Sequence, residues 1–135
     1  MVVADLMVHE VVTLTPEDLL FDAVLKMNDY HIRHLPVVDN GRLVGIISNR
    51  DIRLLAKDLP EAQRAEGRYN LSLEARVGEV MEVDPIVTGP DVELGEVLEV
   101  FLEEKVGAIP VVAEDKRLVG IIGYIDLLEI LREKL

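Results

Sequence analysis

The chain has 135 residues and a formal net charge of −12, room for one ordinary domain or two small units that share a core. That charge argues against duplex nucleic acid or an anionic membrane as the main partner, because both are bound through clustered Lys and Arg. The absence of cysteine excludes disulfides, cysteine-ligated metal and thiol catalysis, and with half the residues hydrophobic but only 4% aromatic the core has to be built from Val, Leu and Ile.

No apolar run approaches the roughly 18 residues that suggest a membrane span. The first residues carry Asp5 and no basic region, so they do not read as a secretory signal. A soluble, cytoplasmic protein is expected.

In chain order, Val2 to Met7 reads as a helical turn leading into a first unit, and Val11 to Leu14 as a short strand closed by Thr15-Pro16. Threonine before proline, followed by Glu17-Asp18, predicts a helix start, since proline presets φ and the acids suit the N-terminal dipole. Leu20, Ala23, Val24 and Met27 then fall at helical spacing, through about Tyr30. Leu35 to Val38 and Leu43 to Ile47 read as strands joined at Asp39-Asn40-Gly41, with Asn-Gly a strong hairpin signal. A helix is expected from about Asn49 to Lys57.

The second half follows the same plan. Ile86 to Thr88 reads as a strand, Pro90-Asp91 opens a helix with Leu94, Val97, Leu98 and Phe101 on its buried face, and strands follow at Ile109 to Val112 and Leu118 to Ile122. A last helix carries Leu128, Leu131 and Leu135 on one side. The plan is a repeat: Met7 aligns with Met81, Pro16 with Pro90, Leu20 with Leu94, and Pro36-Val37-Val38 with Pro110-Val111-Val112. After one extra residue at Glu114-Asp115-Lys116, Arg42-Leu43-Val44-Gly45-Ile46-Ile47 aligns with Arg117-Leu118-Val119-Gly120-Ile121-Ile122. The expected organisation is a first unit at 1–57, a linker at 58–76 with a short helix near Glu61 to Glu66, and a second unit at 77–135. A unit of about 55 residues is marginal alone, so the two are expected to pack together.

A strand-helix-strand-strand-helix unit present twice, with Leu/Ile-Pro-Val-Val before a turn and Leu-Val-Gly-Ile-Ile before a helix, resembles the CBS domain family, named after cystathionine beta-synthase. The resemblance covers about Asp5 to Lys57 and Glu79 to Leu135. It implies an α/β (α+β) fold of two tandem β-α-β-β-α units packed through their sheets into one pseudo-symmetric module, often called a Bateman module. It further implies clefts between the units for adenosine-containing ligands (AMP, ADP, ATP or S-adenosylmethionine), a homodimer, and a regulatory role on an attached or partner protein. No catalytic domain is seen in the sequence, so a stand-alone, non-enzymatic sensing pair is expected, with no required cofactor and an adenine nucleotide as its regulatory ligand.

Ser48-Asn49-Arg50-Asp51 matches the family's Ser/Thr-x-x-Asp motif. An ionised Asp51 can accept hydrogen bonds from both ribose hydroxyls, and Ser48 can donate to a ribose or phosphate oxygen. The same spacing is also a capping box that needs no ligand, and the two roles can coexist. In the second copy Gly123 replaces Ser48 while Asp126 remains, which makes the two sites non-equivalent. The resemblance places Arg33 and His34 near ligand phosphates, joined by Arg50, although Arg33 and His34 could equally cap the preceding helix. Their counterparts Gly107 and Ala108 leave space for an adenine against backbone. Val12 and Thr13, with Val87 and Thr88, lie on the strands that flank adenine in relatives, and β-branched side chains there suit a core equally well.

Other chemistries have no constellation to support them. His9, His31 and His34 lack metal-ligand spacing, and Ser48 has no His/Asp arrangement to make it a nucleophile. Two further readings stand beside the nucleotide sensor: a dimerisation scaffold without ligand, to which Gly123 points, and a sensor of S-adenosylmethionine, which would not need the basic pair at Arg33-His34.

Overall fold

The computed structural model describes residues 1–57 and 74–135. The linker helix expected near Glu61 to Glu66 lies outside them. After a 3-10 turn at Val3–Asp5 come α1 (Leu20–Tyr30), β1 (His34–Asp39), β2 (Arg42–Ser48) and α2 (Asn49–Lys57). They are followed by α3 (Val77–Val80), β3 (Glu82–Val83), α4 (Leu94–Glu104), β4 (Ala108–Val112), β5 (Leu118–Gly123) and α5 (Tyr124–Lys134). The mixture of helix and small sheets is the class expected from the sequence.

The described residues form two compact units, and neither is one continuous stretch of chain. One takes in Val12–Asn40 and the described part of Val44–Asp84; the other takes in Met1–Val11, Gly41–Leu43 and Pro85–Leu135. The Val2 to Met7 segment therefore packs with the second repeat, where the sequence led us to place it with the first. The segment from Val77 to Val83 packs with the first repeat. In the first unit β1, β2 and β3 form a sheet in that order, with Gly45 opposite Val83 and Ile46 opposite Glu82 in an antiparallel pair. In the second unit β4 and β5 are antiparallel, and Val8 forms an antiparallel bridge with Ile121.

Both glycines of the Leu-Val-Gly-Ile-Ile strands are explained by this packing. A Cβ on Gly45 would lie 2.5 Å from Met81 Sδ and 2.9 Å from the Glu82 carbonyl oxygen. A Cβ on Gly120 would lie 2.5 Å from Met7 Sδ and 3.0 Å from the Val8 carbonyl oxygen. At Gly45 the Glu82 backbone approaches too closely for a side chain to enter without displacing it, and at Gly120 the Val8 carbonyl and Met7 leave little room.

Each unit has its own aliphatic core, in keeping with the composition. Leu14, Leu20, Ala23, Met27, Leu35, Val37, Ile47, Ile52 and Val77 form one cluster; Val3, Met7, Val97, Phe101, Ile109, Val111 and Ile122 form the other. On α4 the expected Val97 and Phe101 are buried, while Leu98 is 41% exposed and belongs to the outer face. On α5, Leu128 and Leu131 are exposed, as is Leu135, which caps the helix instead of extending it.

The strand expected at Val11 to Leu14 reduces to a single parallel bridge, Leu14 with Val37. The Leu14 N–H donates to the Pro36 carbonyl at 3.0 Å and the Val38 N–H to the Leu14 carbonyl at 2.8 Å. The ladder stops there because Pro16 has no N–H and the Thr15 N–H is taken by Asp18 Oδ2 at 2.8 Å. The same carboxylate turn delays the helix, which starts at Leu20 instead of Pro16; Asp22, not Asp18, accepts the Leu19 N–H at 2.9 Å at the helix start. Ile86 to Thr88 likewise reduces to one bridge, Thr88 with Val111, and α4 starts at Leu94 instead of Pro90. Asp18→Ala is expected to cost about 1 kcal/mol, the net worth of one hydrogen bond and its turn, readable as a lowered melting temperature by circular dichroism.

The turn between β1 and β2 is the expected one: Asn40 and Gly41 both have positive φ, 53° and 80°, the geometry that favours Asn-Gly. The longer second turn carries the extra residue, and the β4–β5 register shifts between Val111 and Val112 to accommodate it.

Candidate functional site

β2 ends at Ser48, and α2 begins at once. The Asp51 N–H donates to Ser48 Oγ at 3.1 Å, and Asp51 Oδ2 accepts both the Ser48 N–H and the Ser48 hydroxyl, each at 2.9 Å. The capping box is thus formed. Among the described residues the other carboxylate oxygen of Asp51, Oδ1, accepts no hydrogen bond. A half-buried carboxylate therefore has one oxygen committed to the helix start and one available.

β1 brings the basic pair to the same place. The Asn49 N–H, at the start of α2, donates to the Arg33 carbonyl at 2.8 Å, which holds the entry to β1 beside the Ser48–Asp51 motif. His34 responds to both neighbours. Burial pushes its imidazole below the ordinary value of 6.5; the Asp51 charge raises it and the Arg33 charge lowers it, and the net shift is downward. His34 is therefore neutral at pH 7, an anion site only once protonated. Arg33 and Arg50 are exposed and form no ion pair among the described residues.

Helix α1 is capped at its C-terminus by His31, in the left-handed conformation (φ 55°), so neither Arg33 nor His34 fills that place. A cavity of about 340 Å³ adjoins the site, and Asn28, His31, Arg33 and Asn49 are among its lining residues. The sequence had left Asn28 unremarked and His31 without metal-ligand spacing; only the fold of α1 back toward α2 places them together.

Val12 and Thr13 are half-buried on irregular chain. Val12 packs against the first core, and the Thr13 carbonyl accepts a hydrogen bond from Lys26 Nζ at 2.7 Å, a role for Lys26 that local sequence did not reveal. In the second unit the corresponding motif is barer. The Gly123 N–H donates to Asp126 Oδ2 at 2.8 Å and the Tyr124 N–H to the Gly107 carbonyl at 3.2 Å. Ala108 opens β4 and is half-buried. A Cβ on Gly123 would sit 3.5 Å from Asp126 Oδ2 and 3.6 Å from the Gly107 carbonyl, ordinary contacts, so no steric demand accounts for the missing hydroxyl. The structure thus brings together Arg33, His34, Ser48 and Asp51 in one unit, and Gly107, Ala108 and Asp126 in the other.

Among the described residues no group of three His, Asp or Glu side chains could hold a metal ion, and no helix is long and apolar enough to cross a membrane.

Protein MJ1225 of Methanocaldococcus jannaschii is 35% identical to this chain over 95% of its length; its crystal structure superposes with a TM-score of 0.84 over 96% of the chain at 34% identity. The chain spans 46% of the length of MJ1225. Inosine-5′-monophosphate dehydrogenase of the same organism is 32% identical over 93% of the chain, which spans 22% of that enzyme. CBSX2 of Arabidopsis thaliana, solved in complex with AMP, superposes with a TM-score of 0.82 at 26% identity, covering 99% of this chain and 98% of that one. The CBS domain profile matches residues 3–58 and again residues 77–133. With two matched units that account for most of its length, the chain belongs to the CBS domain family.

Proposed function

We propose that the protein is a non-catalytic, cytoplasmic regulatory module that binds an adenine nucleotide (AMP, ADP or ATP) at the Ser48–Asp51 motif. The observation that carries this reading is the half-buried Asp51 carboxylate, with Oδ2 held by Ser48 and Oδ1 accepting nothing among the described residues. A ribose diol can donate to such an acceptor. Arg33 and a protonated His34 stand beside it for phosphate, and Arg50 is on the first turn of α2. The AMP complex of CBSX2 lends support from a relative of nearly the same length. The Asp126 motif, with Gly107 and Ala108 nearby, is a second and weaker site without a hydroxyl donor. We retain the division into repeats at 1–57 and 77–135, joined by 58–76.

The exposed Leu128 and Leu131 on α5, with Leu135 at its C-cap, support a homodimer, because an apolar helix side in water favours cover. In this reading the ligand acts by its different affinity for two arrangements of that assembly. A scaffold without ligand is favoured by one observation, the absence of the hydroxyl at Gly123.

Calorimetric titration of AMP, ADP, ATP and S-adenosylmethionine tests the proposal. Saturable micromolar binding of a nucleotide is expected, and binding of none of the four by a folded protein would leave the scaffold reading. A phosphate beside His34 favours the imidazolium, so AMP should bind with proton uptake and tighten between about pH 7.5 and pH 6. Adenosine, without phosphate, should not show this trend, and His34→Asn should remove it. For stability the sign is opposite. His34 has a lowered value in the folded state, so its contribution is complete above the unfolded pKa and is lost as pH falls from about 6.5 toward the folded value.

A further inference from the structure

A cavity of about 450 Å³ opens in the second compact unit, where Val87, Thr88, Glu96, Val97, Val100 and Ile109 are among its lining residues. Its counterpart in the first unit is defined by the backbone. The Thr88 N–H donates to the Pro110 carbonyl and the Val112 N–H to the Thr88 carbonyl, as Leu14, Pro36 and Val38 do in the first unit. Val87 therefore corresponds to Thr13, Val100 to Lys26 and Glu96 to Asp22.

At that place in the first unit the chain supplies its own cation, Lys26 Nζ, which donates to the Thr13 carbonyl at 2.7 Å. Val100 cannot do this, and the Val87 carbonyl accepts no hydrogen bond among the described residues. The acid differs too. Asp22 accepts the Leu19 N–H at 2.9 Å, whereas Glu96 makes no such bond at the start of α4 and lines the cavity. Two differences between the repeats meet in one place: an internal ammonium is gone, and a carboxylate is released.

We infer that this cavity binds an alkylammonium group, which takes from a ligand the cation that Lys26 provides in the other repeat. Val97, Val100 and Ile109 cover the methylenes, while Glu96 and the Val87 carbonyl accept hydrogen bonds from the ammonium. The volume is in the range of small-molecule sites, and a net charge of −12 concentrates cations near the surface. The inference does not rest on the ribose-reading motifs, since Ser48, Asp51 and Asp126 are not among the cavity's lining residues, although Val87 and Thr88 lie on the strand that flanks adenine in relatives.

The test is a titration of n-butylammonium followed by the methyl NMR signals of Val87, Val97 and Val100. Saturable shifts in the millimolar range are expected, as for so few heavy atoms. n-Butanol, of equal chain length and no charge, should bind at least about tenfold more weakly, and Glu96→Gln should weaken n-butylammonium about tenfold. Val100→Lys, which restores the internal cation, should abolish the shifts and raise Tm; Val100→Met fills the same space without charge and should also abolish them. The inference is overturned if n-butanol binds as well as n-butylammonium, if the folded wild type shows no saturable shift, or if neither Val100 variant changes binding. Putrescine and Nα-acetyl-lysine methylamide carry the same group. Tighter binding of the first assigns a free polyamine as the source, and tighter binding of the second a lysine side chain.

Discussion

Asp51→Ala is expected to weaken nucleotide binding at least about a hundredfold, because two ribose hydroxyls lose a charged acceptor and each such bond contributes about 1.5–3 kcal/mol. The substitution also removes the acceptor for the Ser48 N–H and hydroxyl, which should cost about 1 kcal/mol of stability. Asp51→Asn separates the two effects. Its amide oxygen still accepts from Ser48, so most of the stability should return, while the loss of charge keeps binding weak. Calorimetry with thermal melts reads both quantities on the same samples. Nucleotide affinity in Asp51→Asn equal to wild type would remove the ribose-reading role from this carboxylate. Ser48→Gly imitates the second repeat, where the Gly123 N–H still reaches Asp126 at 2.8 Å, and should lose only the hydroxyl's share of binding.

Gly45→Val should destabilise the fold by about 3 kcal/mol, near the upper end of overpacking costs. Met81 Sδ can swing away from a new Cβ, but the Glu82 carbonyl at 2.9 Å is backbone and can yield only by shifting β3 off β2. The companion variant Met81→Ala therefore gives a sharp check. Added to Gly45→Val, it should recover only part of the loss in chemical denaturation, because the carbonyl contact remains. Full recovery would mean that the thioether alone sets the demand for glycine. Gly120→Val, facing Met7 and the Val8 carbonyl at 3.0 Å, should behave in the same way.

The hairpin strands and the helix after the Ser-x-x-Asp motif were legible because their signals are local. Asn40-Gly41 suits the positive φ values the turn adopts, and Ser48 caps the helix that starts one residue later. The helix starts after Pro16 and Pro90 were misplaced for an equally local reason. Asp18 can serve a helix dipole or close a turn on the Thr15 N–H, and composition does not choose between them. At the site, Asp51, Ser48, Arg33 and His34 could be named from the repeat, but the downward shift of His34 arises from burial that no motif expresses. Lys26 was passed over because its partner, the Thr13 carbonyl, lies on the chain that precedes α1 and is met only when that segment folds back over the helix.

The order of amino acids alone was enough to establish a duplicated unit of helix and strand, an aliphatic core and one intact motif with one lacking its hydroxyl. Those features rest on periodicity, turn chemistry and residue identity, all readable within a few positions. Tertiary structure alone decided which leading segment covers which repeat. Met7 and Met81 occupy equivalent positions, and Gly45 and Gly120 offer equivalent gaps, so the local pattern fits either pairing. Contacts made far along the chain place Met81 on Gly45 and Met7 on Gly120, and they also leave the space beside Val100 open where Lys26 closes its counterpart.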